Sequence, residues 1–194
     1  MVSIRRATSS DTTTIADIWN ESLRTEPMAQ WPLDCGHRDQ ATAVEFSVLA
    51  RGYVDLESVW VDSDLRGAAA WLSPKAADVF GTVDDLVHAA VIPLTNDAGA
   101  RYRGFWTWIA ESMPTEPMWF LDIVAVRAEA RGFGIGSALV RHGLELAERD
   151  KVPAILETGT QDNVAYYETF GFEVIHKAQA PNGGPTVWFM RTNP

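Results

Sequence analysis

Residues 121–140 read LDIVAVRAEARGFGIGSALV, and this stretch decides how the rest of the chain is interpreted. The apolar run LDIVAV is typical of a buried strand, and the run that begins at Ile135 has the apolar spacing of an amphipathic helix. Between them the chain carries Arg131, Gly132, Gly134 and Gly136. Because glycine has no Cβ atom, such a loop allows the backbone to approach a ligand closely. The stretch therefore predicts a strand, a ligand-binding loop and a helix in succession.

Three kinds of phosphate-binding loop compete for this stretch. A Walker loop requires Lys before Ser or Thr after its last glycine, whereas Ser137 follows Gly136 directly. A dinucleotide-binding loop requires G-x-G-x-x-G directly after the strand, but the sixth position counted from Gly132 is Ser137. Glu157 ends the next strand, as the ribose-binding acid of that fold would, yet loop length and glycine spacing argue against it. The pattern R-x-x-G-x-G, which begins at Arg131, is satisfied, and it points the first helix amides toward a pyrophosphate.

The composition is that of a globular chain and disfavours several function classes. The 194 residues suit one domain over residues 1–194, with 46% hydrophobic and 22% charged residues. A formal net charge of −10 disfavours nucleic acid as a partner. The chain shows neither a signal peptide nor an apolar run that could span a bilayer, so no membrane is expected. The single cysteine, Cys35, fits the cytoplasm, and four scattered histidines predict no metal site.

The order of predicted elements indicates a mixed α/β sheet of the α+β kind, with helices on both faces. A first strand and two helices, the second over residues 39–50, precede an antiparallel pair at residues 53–61 and 67–74. Residues 75–118 are predicted to be a helical insertion that covers one end of the sheet. Residues 119–177 contain a strand, the glycine loop, a helix, a second strand and a short helix. A hairpin closes the chain.

Two motifs at a fixed distance resemble a known family. The stretch 121–140 is followed by AILETGTQDNVAYYETFGFEV, in which Asn163 begins the pattern N-x-x-x-Y-E-x-x-G-F. Together they resemble the cofactor-binding core of the GNAT family of N-acetyltransferases. More narrowly, residues 118–192 resemble puromycin N-acetyltransferase and its relatives. The resemblance implies a GNAT-like fold with a splayed central strand pair, in which residues 119–177 bind acetyl-CoA and residues 75–118 lie on the substrate side.

The resemblance also assigns the residues that would hold acetyl-CoA. Backbone groups of Val124 to Val126 would pair with the pantetheine arm, and the glycine loop would hold the pyrophosphate. Asn163 would contact pantetheine, cap its own helix, or do both. The residues assigned to acetyl-CoA are Val124, Ala125, Val126, Arg131, Gly132, Phe133, Gly134, Ile135, Gly136, Ser137, Asn163 and Tyr167. The strand ending at Val126 must then separate from the one at residues 154–158.

Acetyl transfer from a thioester to an amine needs a proton donor, a base and a donor to the thioester oxygen. Tyr167 is the candidate acid, because its ordinary pKa of about 10 lies above that of a thiol, about 8.5. The alternative is a tyrosine that only packs or contacts the cofactor. Glu157 is the first candidate for the base and Asp122 the second, and either could instead serve a structural hydrogen bond. A backbone N–H near Val126 could stabilise the thioester oxygen.

The acceptor is predicted to be the amine of a small molecule, such as an aminonucleoside-type antibiotic or a metabolite. Eight tryptophans are many for this length, and Trp31, Trp106 and Asp122 are assigned to substrate binding. A peptide or protein N-terminus is the alternative acceptor, and a non-catalytic acyl-CoA sensor is the alternative to an enzyme. The edge of the closing hairpin could also support a homodimer.

Overall fold

The computed structural model describes residues 2–193, except for the side chains of residues 77–80. Its strands are β1 (Ile4–Arg6), β2 (Val59–Asp62), β3 (Gly67–Leu72), β4 (Trp119–Val126), β5 (Ala154–Thr158), β6 (Phe172–Gln179) and β7 (Thr186–Thr192). Its α-helices are α1 (Thr12–Leu23), α2 (Pro27–Gln30), α3 (Arg38–Asp55), α4 (Pro74–Val91), α5 (Ala100–Ser112), α6 (Ile135–Asp150) and α7 (Gln161–Glu168). The strands form one sheet in the order β1-β2-β3-β4-β5-β7-β6. Only β4 and β5 are parallel neighbours.

Helices cover both faces of the sheet, which confirms the predicted mixed architecture. Helices α1, α3 and α4 bury their apolar sides on one face, where Trp19, Phe46 and Val87 join the core. Helix α6 covers the other face through Ile135 and Leu139. Helix α5 packs beside β7 in a smaller apolar cluster. The two helices between β3 and β4 therefore stand over one end of the sheet.

The register between β3 and β4 shifts by one residue at Asp122. Ala70 pairs with Ile123, but the next residue, Trp71, pairs with Leu121, so the described register leaves Asp122 without a partner on β3. An extra residue in one strand is a β-bulge, and it reverses which side chains face which side of the sheet. Accordingly, Leu121 packs in the core on the α6 side, whereas Ile123 packs in the core on the α1 and α3 side. Asp122 faces α3 by ordinary alternation from Leu121, where it meets Tyr53, and the bulge keeps the next side chain, Ile123, on that same face.

Two predicted boundaries are wrong. The strand predicted at residues 53–61 starts only at Val59, because helix α3 continues to Asp55. Tyr53 and Val54 suit a strand by local preference, but here they lie on the buried side of α3, so tertiary packing overrides propensity. The stretch between α1 and α3 contains the four-residue helix α2, which begins at Pro27. Proline is favoured at the first helical position because its ring fixes φ and it needs no N–H there.

Gly143 should be indispensable for the packing of α6 on the sheet. A Cβ atom at Gly143 would lie 1.9 Å from the Trp71 ring, whose indole nitrogen donates to the Leu139 carbonyl at 3.2 Å. We expect Gly143→Ala to lower the free energy of unfolding by about 3 kcal/mol, because neither a buried tryptophan nor a helix backbone can move aside cheaply. Gly104→Ala is the control, since Gly104 is also helical but has open space around it. The free energy of unfolding of Gly104→Ala should rise by up to about 1 kcal/mol, because alanine has the higher helix propensity. Chemical denaturation measures both variants.

Candidate functional site

The two central strands separate shortly after they meet. Strands β4 and β5 pair only at Trp119 with Ala154 and at Phe120 with Ile155. Beyond these pairs they diverge, which confirms the predicted splay. Residues of both strands then line a cavity of about 150 Å³, together with side chains from α3 and α7. The backbone edge of β4 beyond Phe120 faces this gap, and an extended ligand can pair with such an edge as an added strand.

The glycine loop ends at the N-terminus of α6 and leaves it open. Gly132 and Gly134 adopt positive φ angles of +83° and +79°, which glycine tolerates and other residues seldom adopt. Gly134 is the N-cap, and among the described residues no side chain caps this helix. The first amides of α6 therefore point outward without intrahelical partners. Phe133 is 70% exposed, so the loop surface is accessible.

Two further residues of the glycine loop, Arg131 and Gly136, lie close to neighbouring parts of the protein. The Val126 carbonyl accepts hydrogen bonds from Ser22 Oγ at 3.2 Å and from Arg131 Nε at 3.4 Å. A Cβ atom at Gly136 would lie 3.2 Å from the Tyr166 hydroxyl, which is itself 3.5 Å from Ser137 Oγ. Arg131 is therefore held against the end of β4, and the Val126 carbonyl already has partners within the protein.

Helix α7 brings Tyr167 to the gap between the strands. The N-cap of the helix is Thr160, whose hydroxyl accepts a hydrogen bond from the main-chain N–H of Asn163 at 3.4 Å. The predicted capping role of Asn163 is therefore wrong. The Asn163 side chain instead donates to Thr158 Oγ1 at 3.1 Å. Tyr167, Asn163, Glu157 and Thr158 all line the first cavity. Burial raises the pKa of Tyr167, followed by the influence of Tyr166 and Glu157, so its hydroxyl is protonated at neutral pH and can donate.

The bulge in β4 and the end of β5 bring two carboxyl groups to the same place. The Tyr53 hydroxyl donates to Asp122 Oδ2 at 2.6 Å. Glu157 lies across the gap, and its Oε2 atom is buried with no hydrogen-bond partner among the described residues. Burial raises the pKa of Asp122 to about 6 despite the hydrogen bond from Tyr53, and the charge of Asp84 acts in the same direction. Burial, and then the charge of Asp122, raise the pKa of Glu157 well above its ordinary value.

Helix α3 contributes a third carboxyl group, Glu45, which the sequence analysis missed. Glu45 is 4% exposed and accepts a hydrogen bond from the Tyr102 hydroxyl at 2.5 Å. Burial raises the pKa of Glu45 to about 7; the Tyr102 hydrogen bond lowers it, and the charge of Asp122 raises it. One signal was available, because Glu45 lies four residues from both Ala41 and Leu49, in the apolar stripe of a predicted helix. A charged residue in such a stripe is seldom buried without a partner or a task.

A second, larger cavity opens beside the first. Its volume is about 960 Å³, and α4, α5 and the segment of residues 113–118 form much of its wall. The residues that line both cavities are Glu45, Leu49, Trp106, Asp122 and Glu157. The three carboxyl groups thus stand where the gap between the strands meets the space under the helices.

The two tryptophans assigned to the substrate lie in different places. Trp106 lines both cavities. Trp31 lines neither; its ring packs against Phe105 at 5.7 Å and lies 5.3 Å from the Arg101 guanidinium, beside a separate shallow depression. The structure therefore does not bring Trp31 to the carboxyl groups, because the apolar cluster around Phe105 holds its ring there.

The described residues contain neither a membrane-spanning helix nor a cluster of metal ligands. In residues 2–193 no helix is both long and apolar enough to cross a membrane. Among the side chains that the structure describes, no group of three or more His, Cys, Asp or Glu residues is arranged to hold a metal ion.

Comparisons with known proteins match one family model to part of the chain and one fold to the whole chain. Residues 95–172 match the model of the Acetyltransferase (GNAT) family. A histone acetyltransferase HPA2 and related acetyltransferase from Corynebacterium glutamicum is 21% identical, with a TM-score of 0.71 over 100% of this chain and 97% of that chain. The polyamine N-acetyltransferase of Drosophila melanogaster, which forms N-acetylagmatine, is 10% identical, with a TM-score of 0.61 over 100% of both chains. A chain of the NatC complex bound to Gag peptide and CoA is 10% identical, with a TM-score of 0.57 over 100% of this chain and 98% of that chain. These identities show a shared fold.

The buried carboxyl group of Glu45 should make stability depend on pH. Its pKa is about 7 in the folded protein, against an ordinary value of 4.5, so the folded chain binds more protons than the unfolded chain between these values. The contribution of protonated Glu45 to the free energy of unfolding is therefore complete below about pH 4.5 and is lost as the pH rises through about 7. Glu45→Gln keeps an acceptor for Tyr102 but does not titrate. Its free energy of unfolding, relative to that of wild type, should therefore rise by up to about 3 kcal/mol as the pH increases across this window.

Denaturation at several pH values measures this difference. Asp39→Asn removes an exposed carboxyl group of the same helix and controls for the loss of one charge. A difference between Glu45→Gln and wild type that stays constant with pH would contradict the prediction.

Proposed function

We propose that this chain is an acetyltransferase of the GNAT family, with acetyl-CoA as the donor, and that it acetylates the amine of a small molecule. The solved structures confirm the predicted fold, and the match of residues 95–172 supports the predicted family, enzyme class and donor. The acceptor and the roles of individual residues belong to the proposal. The observation that carries it is the junction of the two cavities at Glu45, Asp122 and Glu157.

The covered cavity favours a small acceptor over a peptide. Helices α4 and α5 form much of the wall of the second cavity, so an amine reaches the carboxyl groups through a half-open pocket rather than along a flat, open surface. We assign residues 75–118 to the substrate side of a single domain and residues 119–177 to the acetyl-CoA side. Asp122 and Trp106, which line this junction, are the acceptor-side residues retained in the proposal. Trp31 has no support in this role.

The chain has the groups needed to hold acetyl-CoA. Backbone groups of Val124 and Ala125 lie along the free edge of β4, where an extended pantetheine arm can pair with them. The outward amides of α6, with Arg131 and the positive end of the helix, suit a pyrophosphate. Val126 can contribute its N–H group, since its carbonyl is already bonded to Ser22 and Arg131.

Tyr167 and Glu157 are proposed to move the protons. Tyr167 lines the gap with a protonated hydroxyl, which can donate to the departing thiolate. Glu157 has a buried oxygen without a hydrogen-bond partner among the described residues, and its raised pKa brings it nearer to that of an amine. Asp122 is bonded to Tyr53 and is better suited to orienting the acceptor than to removing its proton. The backbone N–H near Val126 remains the proposed donor to the thioester oxygen.

The acceptor is tested with a panel of amines and release of the CoA thiol as the readout. The panel contains puromycin, because of the narrower resemblance of residues 118–192, several simple alkylamines and a short peptide with a free N-terminus. Turnover of small amines alone supports the proposal. Turnover of the peptide alone would favour the kind of acceptor present in the NatC structure. Binding of acetyl-CoA without any turnover would favour a sensor.

A cytoplasmic location and a homodimer through the β6 edge are further parts of the proposal.

Acetyl-CoA is expected to bind the purified protein with micromolar affinity in calorimetry, and NAD is expected not to bind. Gly134→Ala should weaken this binding about tenfold or more, because a side chain at a φ of +79° costs about 1–2 kcal/mol and turns the amides of α6 away. Gly183→Ala is the matched control, since Gly183 has a φ of +76° and open space but lies in the turn between β6 and β7. Equal affinities in the two variants would contradict the role of the loop.

Tyr167→Phe should lower kcat about a hundredfold if its hydroxyl protonates the leaving thiolate. The affinity for acetyl-CoA should change less than about threefold, because ring packing against Phe172 is kept. Tyr166→Phe is the comparison that distinguishes the two adjacent tyrosines, and the larger loss is expected in Tyr167→Phe. Unchanged turnover in Tyr167→Phe would reject the acid role.

A further inference from the structure

The second cavity is far more acidic than a pocket for a neutral or singly charged amine requires. Its acidic lining residues are Glu45, Asp84, Glu111, Glu116, Asp122 and Glu157, whereas Lys75 and His88 are its basic ones. Glu111 and Glu116 are exposed at the rim, and Glu116 pairs with Arg191 at 2.9 Å. The remaining four acidic residues continue inward to the carboxyl junction.

The inner end of this series has an unsatisfied acceptor. Glu157 Oε2 is buried and has no hydrogen-bond partner among the described residues, and the residue lines both cavities. A buried carboxyl oxygen without a donor is costly unless a ligand supplies one. An amine or ammonium group supplies that donor, and this is the position expected for the reacting nitrogen.

A second acidic position lies farther under the helices. Asp84 on α4 is 38% exposed, lies 3.6 Å from His88 Nε2 and lines the same cavity as Glu45. Between them stands Tyr102, which donates its hydroxyl to Glu45 and packs edge-on against His88 at 5.5 Å. Burial raises the pKa of Asp84, and the charge of His88 opposes that shift. A second cation at Asp84 would therefore meet a carboxyl group whose ion pair among the described side chains, with His88, is long at 3.6 Å.

Apolar side chains share the wall of this cavity with the acidic residues. Leu49, Val87 and Phe120 line the cavity together with Trp106, whose ring packs against Tyr102 at 6.2 Å. Such walls suit a short methylene chain, which gains about 0.8 kcal/mol for each CH₂ group removed from water. The lining thus combines acidic groups with hydrocarbon surface.

We propose that the acceptor is a short aliphatic diamine, whose reacting nitrogen lies at the junction of Glu45, Asp122 and Glu157 while its second ammonium group lies at Asp84. This inference rests on the proposed function, because that function identifies the second cavity as the acceptor site. Two charges on one flexible chain match two acidic positions in one cavity. A singly charged amine leaves one of the two positions empty.

Binding, rather than turnover, tests the diamine site. Putrescine, cadaverine, n-butylamine and phenethylamine are titrated by calorimetry into the protein saturated with CoA, so that no acetyl transfer takes place. The better of the two diamines is expected to bind at least about tenfold more tightly than n-butylamine, because a partly buried charge pair contributes on that scale. Equal or tighter binding of n-butylamine or phenethylamine overturns the proposal.

A matched pair of variants tests the outer position. Asp84→Asn should reduce the affinity ratio of diamine to n-butylamine about tenfold. Asp85→Asn removes the same charge from the next residue of α4, which is exposed and does not line the cavity, and it should leave the ratio unchanged. An equal effect of both variants overturns the proposal. Selective diamine binding with no release of CoA from acetyl-CoA would instead reject the proposed function and leave the diamine site standing.

Discussion

The bulge at Asp122 is the feature on which the site depends. One extra residue in β4 turns two successive side chains, those of Asp122 and Ile123, to the face covered by α1 and α3. The strand pairs with β5 only before this point and separates after it. A regular strand would also leave Asp122 on the α3 side, opposite Leu121, but it would turn Ile123 to the α6 side. The bulge thus coincides with the start of the gap for an extended ligand, at the residue whose carboxyl group meets Tyr53.

Three buried carboxyl groups in one place destabilise the fold, and the chain offsets only part of this cost. Tyr53 and Tyr102 each donate one hydrogen bond, to Asp122 and Glu45 respectively. Glu157 Oε2 receives none from the described residues. Burial raises the pKa values of all three groups, so the empty site carries less negative charge at neutral pH than its composition suggests. Buried carboxyl groups with too few hydrogen bonds and raised pKa values are typical of functional sites, where they are retained for binding or catalysis.

The parts of the site that are continuous in sequence could be predicted, and those that depend on distant contacts could not. The glycine loop was recognisable because positive φ angles and open amides are local properties. Tyr167 could be predicted because it lies in the N-x-x-x-Y-E-x-x-G-F motif that follows the glycine loop at a fixed distance. Glu45, Tyr53 and Tyr102 come together only through the packing of α3 and α5, and composition gave no sign of it. The tryptophans could not be distinguished from sequence either, since Trp31 and Trp106 both pack against the cluster around Phe105, yet Trp106 lines the two cavities and Trp31 lines neither.

The arrangement of the carboxyl groups also bears on how an amine could lose its proton. An alkylammonium group has a pKa of about 10, far above that of an ordinary carboxylate, so proton transfer to an exposed glutamate is strongly uphill. Burial and the neighbouring charge of Asp122 raise the pKa of Glu157 and narrow this difference. The same cluster attracts the cation, whose charge lowers the pKa values of the carboxyl groups beside it. Binding and deprotonation therefore oppose each other at Glu157. In the proposed function a division of tasks resolves the conflict, with Asp122 and Glu45 attracting the cation while Glu157, which no described side chain hydrogen-bonds at Oε2, accepts the proton.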